Sequence, residues 1–331
     1  MKILFADIKY DYGKKERGIN AIGEGVIKSI IKLGYDVIPF YYDEYLEQPN
    51  YGSLQVDLIN KADEIKPDLI VFCLMTDQFK FETLDYLKSK YKTLNWFGDD
   101  QWRFDDFTSL YAPHFTYCVT TDKFCVNKYP EIGQNNVVLT QWAAINEHEI
   151  PEFDGEYEFD VSFIGGTHYY RKWFVDKIAK SGINIQAFGH GWANGAVSSQ
   201  RMNDIFVKSK INLNISNSTC YDARYLLAKP MRHIKHTLKS SKNQSQIKAR
   251  NFEIPYFNGF QLTDYVPGIE DYFDIGREIV CYSNVDEAIF LINYYLKNEN
   301  LRENIKNAGH KKAVGNHGYI HRWKEVLEKV L

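Results

Sequence analysis

The sequence predicts two doubly wound α/β domains in succession, each a parallel sheet covered by helices on both faces. Three observations carry this. Short apolar runs alternate with segments of helical periodicity along nearly the whole chain, the pattern of repeated β-α units. The pattern breaks at residues 146–158, where Asn-Glu-His-Glu-Ile-Pro-Glu-Phe-Asp-Gly-Glu-Tyr-Glu is acidic and has no apolar period. The 331 residues, 44% of them hydrophobic, suffice for two cores of ordinary size. The expected division is a first domain over 1–145, a linker over 146–158, a second domain over 159–314, and a helix over 315–331 packing back toward the first.

In the first half, Ile3–Ala6 reads as a strand, followed by a loop with Gly13 and Gly18 and a helix near Ile19–Leu33 that stops at Gly34. Tyr35–Phe40, Leu69–Leu74, Thr93–Phe97, Tyr117–Thr120 and Val137–Thr140 continue as strands, with helices at Val56–Ile65 and Phe81–Tyr91. Ligands of such sheets bind beyond the carboxyl ends of the strands, which selects three loops. The first begins at Asp7; it lacks a G-x-G-x-x-G run, so no dinucleotide site is expected there. The second, Gly98-Asp99-Asp100-Gln101-Trp102-Arg103, puts two carboxylates side by side, where each raises the other's proton affinity. One of them is a candidate general base or hydrogen-bond acceptor for a substrate. The plainer alternative is that Asp99 caps the next helix and Asp100 pairs with Arg103. The third, Thr120-Thr121-Asp122, reads as a helix N-cap.

In the second half, strand Phe159–Ile164 runs into Gly165-Gly166 and a helix carrying Arg171 and Lys172. Small residues, free N–H groups and cations at one helix start make an anion site. Strand Ile183–Phe188 ends at Gly189-His190-Gly191-Trp192, a helix covers Gln200–Val207, and strand Ile211–Ile215 ends at Ser216-Asn217-Ser218. From Thr219 to Lys248 the chain carries Arg224, Lys229, Arg232, Lys235, Lys239, Lys242 and Lys248 against one acid, Asp222. This is either a solvated face or an attractor for an anionic ligand or membrane surface. An amphipathic helix then stops at Gly259, strand Phe260–Leu262 follows, and Pro267-Gly268 opens another helix. Arg250 and Glu253 share one face of the first of these helices; a surface ion pair is their plain reading. Glu278–Cys281 is the last strand, before helices at Val285–Leu296, Leu301–Val314 and Tyr319–Leu331.

A net charge of −3 points to no general nucleic-acid partner, and no apolar run approaches the roughly 20 residues of a spanning helix. A cytoplasmic protein is expected. Cys73, Cys118, Cys125, Cys220 and Cys281 lack metal-ligand spacing and read as reduced packing residues. The 24 Tyr and 21 Phe include rings suited to stacking on sugars or nucleobases.

The second half resembles the C-terminal domain of GT-B glycosyltransferases, in particular the spore-maturation-type (CgeB-like) group. The resemblance rests on Asp160–Gly165 with Arg171-Lys172, Phe188–Trp192, Asn212–Ser216, Arg250–Pro255 with Gly259–Asp264, Gly276–Tyr282 and His317–Arg322. Trp96–Arg103 and Thr120–Lys123 extend it into the first half. It implies two Rossmann-like domains facing across a cleft, an acceptor-side domain first and a nucleotide-sugar domain second. Glu253 matches the carboxylate that accepts from both ribose hydroxyls. Gly165, Gly166 and Arg171, with Lys248 and Arg250, are placed at the diphosphate, and Thr263 and Asp264 at the end of the next strand. Gly191, Trp192 and Ser216 complete the donor set. Many retaining members carry a second Glu eight positions before the ribose carboxylate, where this chain has Ser245. The implied reaction is metal-independent transfer from a nucleoside-diphosphate sugar, UDP being the first choice, to a hydroxyl of a glycan, a lipid-linked saccharide or a protein. No cofactor beyond the donor is expected. If the reaction inverts, Asp100 is the first choice of base, with Asp99 and Asp7 behind it. A sugar-nucleotide epimerase and a non-catalytic nucleotide-sugar or glycan binder are the alternatives, and peripheral contact with an anionic membrane rests on the basic segment.

Overall fold

The computed structural model describes residues 1–216, 222–239, 242 and 245–331; Asn217, Ser218 and Cys220 lie outside the described residues. The chain divides into two compact units, Met1–Glu147 with Tyr319–Leu331, and His148–Gly318.

The first unit holds a six-stranded parallel sheet of β1 (Lys2–Asp7), β2 (Asp36–Tyr41), β3 (Leu69–Phe72), β4 (Thr93–Phe97), β5 (Tyr117–Thr120) and β6 (Val137–Leu139). Its order is β2-β1-β3-β4-β5-β6. The crossovers carry α1 (Ala21–Lys32), α2 (Leu54–Ile65), α3 (Phe81–Lys90), α4 (Asp100–Arg103), a π turn at Phe104–Thr108, and α5 (Ser109–Tyr111). Ile3, Leu4, Phe5 and Ala6 of β1 are all buried, because both faces of a parallel sheet are covered. Alternation sends Leu4 and Ala6 to a core with Ile70 and Phe72, and Ile3 and Phe5 to one with Leu69 and Val71.

The second unit has a five-stranded parallel sheet, ordered β11-β10-β9-β7-β8. Along the chain come β7 (Phe159–Ile164), α6 (Tyr169–Lys180), β8 (Ile185–Phe188), α7 (Ser199–Val207), β9 (Ser209–Asn214), α8 (Ala223–Ala228) and α9 (Pro230–Lys239). They are followed by α10 (Arg250–Tyr256), β10 (Gln261–Asp264), β11 (Val280–Tyr282), α11 (Val285–Lys297) and α12 (Glu299–Asn316). Among the described residues no helix is long and apolar enough to cross a membrane. The last helix, α13 (Tyr319–Val330), is part of the first unit. Its Tyr319, Trp323, Val326, Leu327 and Val330 form one helical stripe in the core with Ile3 and Phe5.

Three local readings change. The helix expected from Lys248 to Gly259 is the shorter Arg250–Tyr256, with Pro255 in its last turn and Asn258 left-handed at φ +58° just beyond. Strand β10 reaches Asp264, two residues beyond the expected Leu262, so Thr263 pairs in the sheet with Asn214 and Cys281. Pro267-Gly268 opens only a single 3-10 turn, Ile269–Asp271.

Each sheet reverses direction once, between β1 and β3 in the first unit and between β7 and β9 in the second. These are the points where crevices form in open α/β sheets. The ring of Trp323 packs 6.1 Å from Phe5 and 5.6 Å from Trp96, so it holds α13 against the switch point of the first sheet. Trp323→Ala is therefore expected to destabilise the first unit by about 3–5 kcal/mol, read as a lower denaturation midpoint.

Candidate functional site

At the switch point of the second unit, β7 ends in Gly165-Gly166 and β9 is followed by Ile215-Ser216. Arg171, in the first turn of α6, bridges them: Nη1 donates to the Gly166 carbonyl at 3.2 Å and Nη2 to the Ile215 carbonyl at 2.8 Å. The glycine loop is also braced from β8. The Trp192 indole N–H donates to the Gly165 carbonyl at 2.8 Å, and the Gly165 N–H to the Phe188 carbonyl at 2.9 Å. Gly189, at φ +123°, leaves no room for a side chain: an added Cβ would stand 2.4 Å from the Gly165 carbonyl oxygen. Gly191, at φ +85°, is pressed in the same way against the Thr167 methyl, at 2.7 Å. Gly166 differs. A Cβ there would meet nothing within 4 Å, and its N–H has no hydrogen-bond partner among the described residues. The loop thus presents an open amide beside the N-terminus of α6, the arrangement that receives anions.

The polar chain continues away from the loop. Asp264, at the end of β10, accepts from Ser216 N–H at 2.9 Å and from its hydroxyl at 2.6 Å. Burial pushes the Asp264 carboxyl up, and those two donors oppose the shift. Thr263 is fully buried and accepts from Asn214 and from Asn251 of α10, at 3.1 and 3.2 Å. Arg171, Trp192, Ser216, Thr263 and Asp264, all expected in the donor site, are therefore brought together, and they hydrogen-bond to one another and to loop backbone.

On α10, Glu253 is 6% exposed, and its Oε2 takes an ion pair from Arg250 at 2.9 Å. Arg250 also contacts Met202 and lies over the Phe206 ring. Among the described residues the second Glu253 oxygen, Oε1, has no hydrogen-bond donor. Half-buried Lys248 closes the helix start by its N–H, which donates to Asn251 Oδ1 at 3.0 Å. Ser245 is exposed.

The three carboxylates expected as bases all lie in the first unit, in different surroundings. Asp99 stands at the N-cap of α4 without a side-chain capping bond, in the lining of a cavity of about 190 Å³ with Arg103 and Phe107. Asp100 is 1% exposed and accepts three hydroxyls, from Thr108 at 2.6 Å, Thr120 at 2.5 Å and Tyr129 at 2.6 Å. Burial pushes its carboxyl up to about 6 against those donors. Its alternative reading as the partner of Arg103 is replaced by this hydroxyl cage, which ties α4, β5 and the Tyr129 turn together. Asp7, at the end of β1, accepts from Ile8 N–H at 2.8 Å and from Asn20 Nδ2 at 3.2 Å. Burial is the main cause that pushes its carboxyl up to about 7. Gly23 makes space for it: a Cβ there would stand 2.4 Å from Asp7 Oδ2. Asp7 is the one carboxylate in the lining of a second cavity, of about 170 Å³, walled by Phe5, Trp96, Trp142 and Trp323. Cys73, Trp96 and Trp142 border both cavities. Gly23, Trp142 and Trp323 carry no spacing signal in the sequence. Asn20 alone had one, as the helix-capping residue type that follows the first loop.

Residues 171–328 match the model of a family described as glycosyl transferase-like. No curated protein matches the chain in sequence. Among solved structures, a glycosyltransferase from Rickettsia africae aligns over 99% of this chain and 97% of its own, at 11% identity and a TM-score of 0.62. Anabaena HepE in complex with UDP aligns over 99% of both chains at 11% identity and 0.62. The sucrose-phosphate synthase of Thermosynechococcus elongatus aligns over 99% and 98% at 8% identity and 0.64. The fold is GT-B. In this GT-B chain the matched family segment begins at Arg171, the residue that clamps the glycine loop. Among the described residues no group of three or more His, Cys, Asp or Glu is placed to hold a metal ion.

Since the Gly165 carbonyl occupies the space a Gly189 side chain would take, and φ +123° disfavours one, Gly189→Ala is expected to displace the loop. The measurable outcome is a loss of roughly 1–3 kcal/mol of stability from overpacking, together with weaker binding of nucleoside diphosphates.

Proposed function

We propose that this protein is a glycosyltransferase of the spore-maturation-type group that moves a hexosyl unit from a nucleoside-diphosphate sugar, UDP being the first choice, to a hydroxyl acceptor. The observation that carries the reading is the open Gly166 amide at the α6 N-terminus, joined through Arg171, Ser216, Asp264 and Thr263 to the helix that bears Glu253. Pyrophosphate would lie on the Gly166 N–H and the helix N-terminus, where preorganised dipoles stabilise charge as the sugar–diphosphate bond breaks. Glu253 Oε1 would accept from the ribose hydroxyls. With these groups carrying the leaving charge, no divalent ion is assigned a part.

The geometry favours Asp7 over Asp99 and Asp100 as the base of an inverting transfer. Both Asp100 oxygens already accept hydroxyls, whereas Asp7 borders a cavity and has an affinity for protons matched to neutral pH. The acceptor oxygen would attack the anomeric carbon, the bond to the diphosphate would break, and the acceptor's proton would pass to Asp7. The aromatic walls of the cavity suit the apolar face of a sugar ring, on a glycan, a lipid-linked saccharide or a glycosylated protein. A cytoplasmic protein in peripheral contact with an anionic membrane completes the proposal.

Glu253→Gln keeps the shape and removes the charge, so UDP affinity measured by calorimetry should fall roughly 10–100-fold, the worth of a hydrogen bond to a charged group. Unchanged affinity would sink the ribose assignment. Asp7→Asn should leave UDP affinity intact and lower transfer by about 10²–10⁴-fold. In the wild type, transfer should rise about tenfold per pH unit below about 7 and level off above it, because the base acts deprotonated. Stability should run the opposite way. The folded state holds a proton on Asp7 between pH 3.8 and about 7 that the unfolded chain releases, so stability is lost as pH rises through that window. Asp7→Asn should therefore be more stable than wild type at pH 8, by on the order of 4 kcal/mol at most. A flat pH profile with full activity in Asp7→Asn would exclude the base and favour retention.

A further inference from the structure

We propose that α8 and α9 form the surface by which this protein docks on an anionic lipid bilayer. The proposal rests on the peripheral-contact part of the function above and is independent of the donor chemistry. The two helices are held to the second unit by Tyr225, which is 3% exposed and packs 5.4 Å from Tyr170 and 5.3 Å from Trp173. What they turn outward includes an apolar stripe. Met231, Ile234 and Leu238 recur at helical spacing on one stripe of α9 and are 78%, 48% and 82% exposed, and Leu227 of α8 is 83% exposed. Side chains of this size at adjacent helical positions, left in water, form an interaction patch rather than the scattered exposure normal for a surface.

Charge identifies the occupant. Asp222 is the single acid from residue 222 to residue 239, against Arg224, Lys229, Arg232, Lys235 and Lys239, in a chain whose net charge is −3; of these, Arg224 is already taken up by Asp286 of α11 at 2.6 Å. Asp222 itself is turned inward to cap α8, accepting from Arg224 N–H at 2.8 Å. Lys229 is exposed, and Arg232 lies over the Tyr169 ring at 4.8 Å. Cations flanking an apolar stripe on a helix are the pattern that lies in a bilayer interface, with apolar side chains among the acyl chains and cations at the headgroups. A nucleic acid would be met by a polar basic face, and a second copy meeting this patch about a two-fold axis would bring its cations against their own kind. Tyr169 opens α6, the helix that follows the Gly165-Gly166 loop, so docking here sets that loop near the headgroups. A lipid-linked acceptor is then the acceptor class favoured.

The test uses the full chain without donor, in co-sedimentation with vesicles at low salt. Wild type should bind vesicles of phosphatidylglycerol with phosphatidylcholine, fail to bind phosphatidylcholine alone, and release as salt rises. The paired variant M231D/L238D and, separately, K229E/R232E should each partition on the order of tenfold less or weaker. Both should keep the wild-type circular dichroism and UDP affinity, which separates a lost surface from a lost fold or donor site. No vesicle binding by wild type, or binding undiminished in M231D/L238D, would overturn the proposal. So would a dimer in sedimentation velocity that M231D/L238D dissolves, because it would assign the stripe to a second copy.

Discussion

The second unit depends on one constraint: the carbonyls of two loops at its switch point converge, and a single guanidinium satisfies both. Among the described residues Arg171 is the side chain that donates to both the Gly166 and the Ile215 carbonyls, at the ends of β7 and β9. Unsatisfied polar groups of this kind cost about 1–3 kcal/mol each. The planar fork of Arg can serve both at once, where a Lys ammonium acts as a point charge. Around this clamp the remaining contacts fall into sequence: Trp192 on the other side of the glycine loop, Ser216 onto Asp264, and Thr263 onto α10. The loop is stiff because side chains that look like ligands hold it, and its free chemistry is the backbone amide that they leave open.

The first unit solves a different problem. It buries two acidic groups, Asp7 at the end of β1 and Asp100 just after β4, and gives them different partners. Asp100 is held as a structural anchor by three hydroxyls that arrive from a π turn, a strand end and a loop. Asp7 has two weaker donors and an apolar wall, so burial dominates and its proton affinity rises toward neutrality. Burial raises the proton affinity of both, and the donors beside each decide how far, to about 6 for Asp100 and about 7 for Asp7.

Much of the strand-and-helix order could be read from the chain because parallel β-α units leave a strong apolar period, and β1, β3, β4 and α1 lie within a few residues of the expected spans. The Arg250–Glu253 contact could also be read, since a three-residue helical spacing brings side chains together whatever surrounds them. The extent of α10 could not. Pro255 reads as a breaker, yet it sits in the last turn, where the helix ends anyway and the chain swings left-handed at Asn258. Nor could the strand expected to end at Leu262 be extended to Asp264, because strand ends depend on which neighbour pairs with them.

The sequence by itself determined the fold class, the strand-end loops and the residue types gathered there, because period, glycine placement and charge are local properties of the chain. Only the tertiary structure decided which of those residues face a ligand and which support one another. Asp100 meets hydroxyls 8, 20 and 29 positions away, and the cavity beside Asp7 is closed by Trp96, Trp142 and Trp323 from three distant parts of the chain. The proton affinity of a carboxylate, and the availability of its oxygens, follow from what burial and packing bring beside it, and no spacing along the chain encodes that.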